Sequence, residues 1–269
     1  MGCDFSSSPS KRKPIVVAVG RMHRGAVQLD RLHYIQTLPE FLEFLKQPTT
    51  EKVQCVAGFD LPFGLPRAFV EHMKWPTSWP ECMDQFASYS REELRQFFKA
   101  FCDARPVGAK FAHRATDMPA GSSPSMKWVN PPVAWMMHAG VPLLREAGWT
   151  LPAMQVGDVQ RIALEAYPGL LARELVGHRS YKSDDKSKQT PDRWLARKDI
   201  LHGLDMAQTK LGLRLKLSAA QHDSLLADGS GDALDAVLCM VQAAWAHLQN
   251  EANYGLPDFD PLEGWIVSA

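Results

Sequence analysis

The segment Asp232–Leu248, DALDAVLCMVQAAWAHL, is apolar at almost every helical position. A helix without a polar face is stable only when it is buried in a protein core or in a bilayer. No apolar run in the chain approaches the roughly 18 residues of a membrane span, and the first residues carry no apolar signal-peptide core. The expectation is therefore a chain neither inserted nor exported, with this helix inside a protein core. At 269 residues, with 45% hydrophobic and 22% charged composition, the chain is long enough to bury a sizeable one. The five cysteines, Cys3, Cys55, Cys82, Cys102 and Cys239, are scattered and form no CxxC pair. That argues against a disulfide framework or a zinc site and for a reduced, cytoplasmic protein. Lys plus Arg and Asp plus Glu both number 30, so no global positive field announces a nucleic-acid partner. Function must come from local features.

Along the chain, a short opening segment, 1–5, ends in the turn-forming run Ser6-Ser7-Ser8-Pro9-Ser10-Lys11-Arg12-Lys13-Pro14. Residues 15–19, IVVAV, then read as a buried strand, and the apolar alternation around 27–35 as a third, after a turn at 22–25. Three antiparallel strands are expected to open the fold. Leu38, Phe41, Leu42 and Leu45 share one helical face, and Gln47-Pro48-Thr49-Thr50 ends that helix. The apolar run 53–59 is expected to be a central strand parallel to the first, because a helical crossover precedes it. Residues 66–155 differ in kind, alternating helical stretches with Pro-, Gly- and Ser-rich loops, and read as an insertion or lid. Strand character returns at 161–166, followed by a short helix at 169–176. Thr190-Pro191 launches a helix to about residue 210, and 218–226 forms another. The end, 262–267, reads as a final edge strand.

Five acids fall at the places where α/β sheets expose ligands. Asp4, Asp60 and Glu165 end strands, and carboxyl ends of neighbouring parallel strands border the ligand crevice of such sheets. Asp232 and Asp235 stand three apart on one helix and so share a face. Each acid has an ordinary structural alternative. Asp4 and Asp60 suit turns, Glu165 suits an ion pair with a core arginine, and Asp232 suits a first-turn acid favoured by the helix dipole. Asp235 is hardest to explain that way, because it lies one turn into an otherwise apolar helix and needs a cation or donors. Converging carboxylates repel and lose hydration, so such clusters hold a divalent metal or carry raised pKa values. Oxygen-only ligands suit Mg²⁺ or Mn²⁺. Asp4, Asp60, Asp232 and Asp235 are thus the expected metal ligands, with Glu165 completing the catalytic set.

The order of Asp4 with its hairpin, Asp60-Leu-Pro-Phe-Gly, Glu165-Ala-Tyr-Pro and Asp232-Ala-Leu-Asp235-Ala resembles an uncharacterised domain family of predicted ribonuclease-H-like nucleases. The likeness extends to Tyr181-Lys182-Ser183 and Glu263-Gly264-Trp265-Ile266, leaving out about 66–155. The resemblance implies an α/β fold with a mixed five-stranded sheet, its first three strands antiparallel, flanking helices and a metal-dependent active site. Asp4 then takes the role of first-strand acid, Asp60 of fourth-strand acid, and Asp232 with Asp235 of helix acids. Many nucleases of this fold carry Glu where Asp60 stands, so the shorter side chain alters metal geometry.

Supporting groups follow the strand that carries Glu165. Between His178 and Lys198 lie Arg179, Lys182, Lys186, Lys188, Arg193, Arg197 and Lys198 against three acids, a candidate phosphate-binding segment or simply a solvated surface. Lys11, Arg12 and Lys13 offer the same from the hairpin tip. Within 66–155, Arg114 and Trp128 are candidate substrate contacts, with core packing the commoner role for tryptophan. The expected function is hydrolysis of a nucleic acid or nucleotide-like phosphoester. Two alternatives stand beside it. An actin- or sugar-kinase-like phosphotransferase needs a Gly-rich phosphate loop where this chain has Ser-Ser-Ser-Pro-Ser. A non-catalytic binding module would use the acids structurally.

Overall fold

The computed structural model describes residues 1–48 and 53–269, so the Thr49-Thr50 end of the first predicted helix lies outside the described residues. The strands are β1 (Gly2–Asp4), β2 (Ile15–His23), β3 (Ala26–Ile35), β4 (Cys55–Asp60), β5 (Trp149–Thr150), β6 (Asp158–Glu165) and β7 (Arg214–Lys216). Among the described residues they form a seven-stranded mixed sheet in the order β5-β6-β4-β1-β2-β3-β7. β1, β2 and β3 run antiparallel in succession, as expected, with the two-residue turn Arg24-Gly25 in left-handed conformation (φ 50° and 74°) joining β2 to β3. β4 lies parallel to β1, and β6 parallel to β4.

Two of the seven strands were not expected. β5 has two residues and β7 three, too short to carry a period-two pattern, and each adds to an edge of the sheet. The predicted final strand at 262–267 is instead a turn-rich segment making one parallel bridge, Glu165 to Ile266. The 191–210 helix stops at Asp205, after which Ala207 takes a positive φ of 54°.

Ten α-helices are described: α1 (Leu38–Lys46), α2 (Arg67–His72), α3 (Trp79–Ser88), α4 (Arg91–Asp103), α5 (Asp117–Ala120), α6 (Val133–Glu146), α7 (Pro168–Val176), α8 (Pro191–Asp205), α9 (Ala219–Ala227) and α10 (Asp232–Leu248). Strand side chains alternate between two faces. Ile15 and Val17 join an apolar cluster with Phe41, Phe69, Phe86, Phe98 and Trp149, while Val16 and Ala18 join one with Leu171, Ile200, Leu225 and Leu238. Residues 66–155, read as an insertion, therefore supply most of the helical layer on one face and share its core with β1 and β4. Helices α7 to α10 cover the other face. No helix among the described residues is long and apolar enough to cross a membrane.

α10 lies directly on the sheet because glycine clears its path. A Cβ added at Gly2 would fall 2.0 Å from the Met240 amide nitrogen, and one at Gly58 2.7 Å from the Cys239 carbonyl oxygen. The helix backbone thus rests against β1 and β4, which sets its first turn beside the ends of those strands. Gly2→Val is expected to lower the melting temperature by about 10 °C or to prevent folding, since helix and sheet must part. Thermal unfolding followed by circular dichroism measures it.

Candidate active site

Strand pairing fixes the first two acids. Asp4 and Asp60 are register partners on the parallel pair β1 and β4, so their Cα atoms sit side by side at the carboxyl ends. Asp4 is 8% exposed, and among the described residues no side chain or amide donates a hydrogen bond to either carboxylate. The turn before α10 adds the second pair. Asp228 accepts from the Ser230 hydroxyl and amide and from the Ala233 amide, and Gly231 enters the helix at a φ of 77°. Asp232 and Asp235 follow on the first turn.

Two lysines answer the helix acids. The Lys182 ammonium and the Tyr181 hydroxyl both donate to Asp235, the latter at 2.6 Å, and Asp235 itself is fully buried. Lys13, from the loop between β1 and β2, donates to Asp232 Oδ1 at 2.9 Å and to Asp184 Oδ1 at 2.6 Å. Burial and the neighbouring charges of Asp235, Asp232 and Asp60 hold the Asp4 carboxyl well above the usual range, with Lys182 opposing. Asp60 is pushed up to about 7 by burial, with Asp235 and Glu165 adding to the shift and Lys182 again opposing. The Lys182 ammonium loses stability on burial, yet the surrounding anions more than offset this and raise its pKa.

Glu165 reaches the same cleft but is committed to an ion pair. Arg114 donates to Glu165 Oε1 at 2.6 Å and Oε2 at 2.8 Å, to Asp117 Oδ1 at 2.9 Å and to the Glu263 carbonyl at 3.0 Å. The Phe63 amide completes the shell of Glu165 at 2.9 Å. Arg114 thus stands as a buried tie between β6, α5 and the C-terminal segment, and its guanidinium is fully engaged by the protein.

The acids surround one cleft of about 470 Å³, lined by Asp4, Asp60, Glu165 and Asp232 together with Lys13 and Lys182. Asp235 lies behind this lining. Among the described residues, no three His, Cys, Asp or Glu side chains stand close enough to hold one metal ion. The predicted acids therefore gather around one cavity without meeting at ligand distance, and lysine ammonium groups take up two of them. The donor chemistry nevertheless suits a hard divalent cation, because Asp4 is a buried carboxylate with no hydrogen-bond donor and opens on the cleft. Arg179 pairs with Asp199 at 2.8 Å and lines an adjoining groove that shares Asp60, Tyr167 and Lys182 with the cleft. Trp128 stands apart, stacked on Phe98 with centroids 5.9 Å apart and planes 16° from parallel, so it packs the helical layer. Sequence reasoning missed the Tyr181–Asp235 bond and the partnership of Asp117 and Glu263 with Arg114. The Tyr181-Lys182 dipeptide lies 53 residues or more from Asp235 in sequence, which leaves no periodic signal for either contact.

A search of the curated proteins and one of the solved structures return no match. A family model described as protein of unknown function (DUF429) matches residues 2–258, a span that takes in Asp4, Asp60, Glu165, Asp232 and Asp235. By that match over nearly its whole length, the chain belongs to the DUF429 family.

Proposed function

We propose that this protein is a metal-dependent phosphodiester hydrolase of the ribonuclease-H-like type, acting on nucleic acid or a nucleotide-like phosphoester. The observation that carries the reading is the pairing of Asp4 with Asp60 at the ends of adjacent parallel strands, undonated and open to a cleft that Asp232 also lines. The central five strands, β3-β2-β1-β4-β6, with the first three antiparallel, support the ribonuclease-H-like assignment. Asp4, Asp60, Asp232 and Asp235 would hold Mg²⁺ or Mn²⁺. A divalent ion bound there would supply Lewis acidity and a water of lowered pKa.

The chain's own residues have distinct parts. Asp4 and Asp60 present bare carboxylates to the cleft. Lys182 and Lys13 pair with Asp235 and Asp232 and line the cleft, where they would serve as cations for a phosphate. Tyr181 keeps the Asp235 carboxylate oriented. Glu165, with Arg114 donating to both its oxygens, steadies the loop after β4 through the Phe63 amide. The free thiols of all five cysteines accord with a cytoplasmic setting.

Incubation with end-labelled DNA and RNA and Mg²⁺ or Mn²⁺ is expected to give cleavage that Asp4→Asn reduces by a thousandfold or more. Asp4 is the informative position because it holds no partner whose loss would unfold the chain. Asp235→Asn should behave likewise, although it strands Lys182 and Tyr181. Equal turnover by the wild type and Asp4→Asn rejects the site.

One observation favours a second reading, a metal-free binding module. Lys182 and Lys13 already neutralise the helix acids. An unchanged melting temperature with millimolar Mn²⁺ supports that module over the hydrolase.

A further inference from the structure

The cleft has a second character that hydrolysis of a phosphoester does not explain. Its acids and lysines make up only part of the lining, and the rest is an apolar wall of Phe5, Leu61, Pro62, Pro132, Val133 and Met136. Phe5 and Leu61 extend directly from the acid-bearing strands, each one residue past Asp4 and Asp60. Pro132, Val133 and Met136 come from the start of α6. Serine hydroxyls from Ser6, Ser7 and Ser123 border the same space. A phosphate with its ion needs only the acid and lysine part. The apolar part suits a ligand with a hydrophobic body beside its charged group.

The size and charge of the cleft narrow the choice. At about 470 Å³ it lies in the range of small-molecule sites, roughly 300–1,000 Å³. Of the cations lining it, Arg114 is consumed by Glu165 and Asp117, which leaves Lys13 and Lys182. A protein that tracks a long phosphate backbone presents many more cations than two. Asp4, more than nine-tenths buried and without a hydrogen-bond partner among the described residues, faces this space and marks the end where the charged group sits.

Building on the hydrolase reading, we infer that the cleft admits one nucleotide at a time, its phosphate at the acids and lysines and its base against the Phe5, Leu61, Pro132, Val133 and Met136 wall. The ligand is a mononucleotide or the terminal nucleotide of a single strand, and a duplex is excluded.

Binding to the full chain in Mn²⁺ tests this, with adenosine monophosphate, ribose 5-phosphate, a labelled single-stranded oligonucleotide and a blunt duplex of equal length as probes. Adenosine monophosphate is expected to bind at least tenfold more tightly than ribose 5-phosphate, the difference reporting the base. The duplex should fail to compete with it. For the single strand, raising salt from 50 to 200 mM should weaken binding by less than about tenfold, against roughly three-hundredfold or more for six or more phosphate contacts. Competition of mononucleotide with the single strand identifies a shared slot, and single-strand binding alone assigns the terminal nucleotide as the ligand. Val133→Trp and Met136→Trp fill the wall and should each cost tenfold or more in adenosine monophosphate affinity while leaving the Mn²⁺-induced rise in melting temperature unchanged. Equal binding of ribose 5-phosphate, effective competition by the duplex, or no binding of either nucleotide probe overturns the inference. A Mn²⁺ shift without nucleotide binding sinks this inference and spares the metal site. Nucleotide binding without a Mn²⁺ shift sinks the metal site and upholds the slot.

Discussion

Asp60→Asn is expected to abolish metal-dependent hydrolysis and, at the same time, to make the metal-free protein more stable at pH 8. Both effects come from one cause. Burial and the anions Asp235 and Glu165 lift the Asp60 carboxyl to about 7, against Lys182, and Asp4 stands beside it in register. The sign follows from linkage. The folded pKa is above the unfolded one, so the group's stabilising contribution is whole below about pH 4, declines as pH rises, and is gone above about 7. With one pKa unit worth 1.36 kcal/mol and a rise of about three units, the penalty at pH 8 is on the order of 4 kcal/mol. Asparagine keeps the shape and removes the charge. In the presence of a chelator its melting temperature at pH 8 should exceed that of the wild type by about 5 °C or more, and the gap should close at pH 4. Millimolar Mn²⁺ should raise the wild type and not the variant. A variant that is less stable than the wild type at pH 8, or that still cleaves, removes Asp60 from the site. Sacrificed stability at a half-buried, unpaired acid is what a functional carboxylate costs.

The sequence revealed most where periodicity and length were strong. The helix Asp232–Leu248 was legible to the residue because apolar positions run almost all the way round it and few polar residues interrupt them. β2 and β4 were legible from apolar runs, β3 from apolar alternation, and the parallel placement of β4 from the crossover helix before it. Edge strands β5 and β7 were not, since two or three residues define no pattern and only a neighbour's free edge recruits them. At the site, strand ends and helix start placed Asp4, Asp60 and Asp232 around one cleft, with Asp235 behind its lining. Their neutralisation was invisible. Lys182 and Lys13 reach α10 from loops distant in sequence, and loop conformation is set by contacts rather than by local preference. The glycines that seat α10 on the sheet were also silent, because Gly2 and Gly58 need room for another backbone and not a turn. The same limit hid the use of Arg114, which the sequence offered as a substrate contact.

Arg114 instead holds the molecule together, and its removal should be among the most damaging single changes to stability. The guanidinium is 1% exposed and donates to Glu165, Asp117 and the Glu263 carbonyl. Arg114→Met fills similar volume but leaves two buried carboxylates without a cation. Breaking a buried pair in this way costs about 3–5 kcal/mol, chiefly because the stranded charge cannot be resolvated. For a chain of this length that is a fall in melting temperature of about 10 °C. The loss should be smaller at low pH, where the orphaned acids take up protons. Glu165→Gln, combined with Arg114→Met, should recover part of the loss, since it removes one of the two stranded charges while keeping an acceptor for the Phe63 amide. If Arg114→Met melts as the wild type does, yet binds nucleotide or metal less well, the arginine belongs to the ligand and not to the fold.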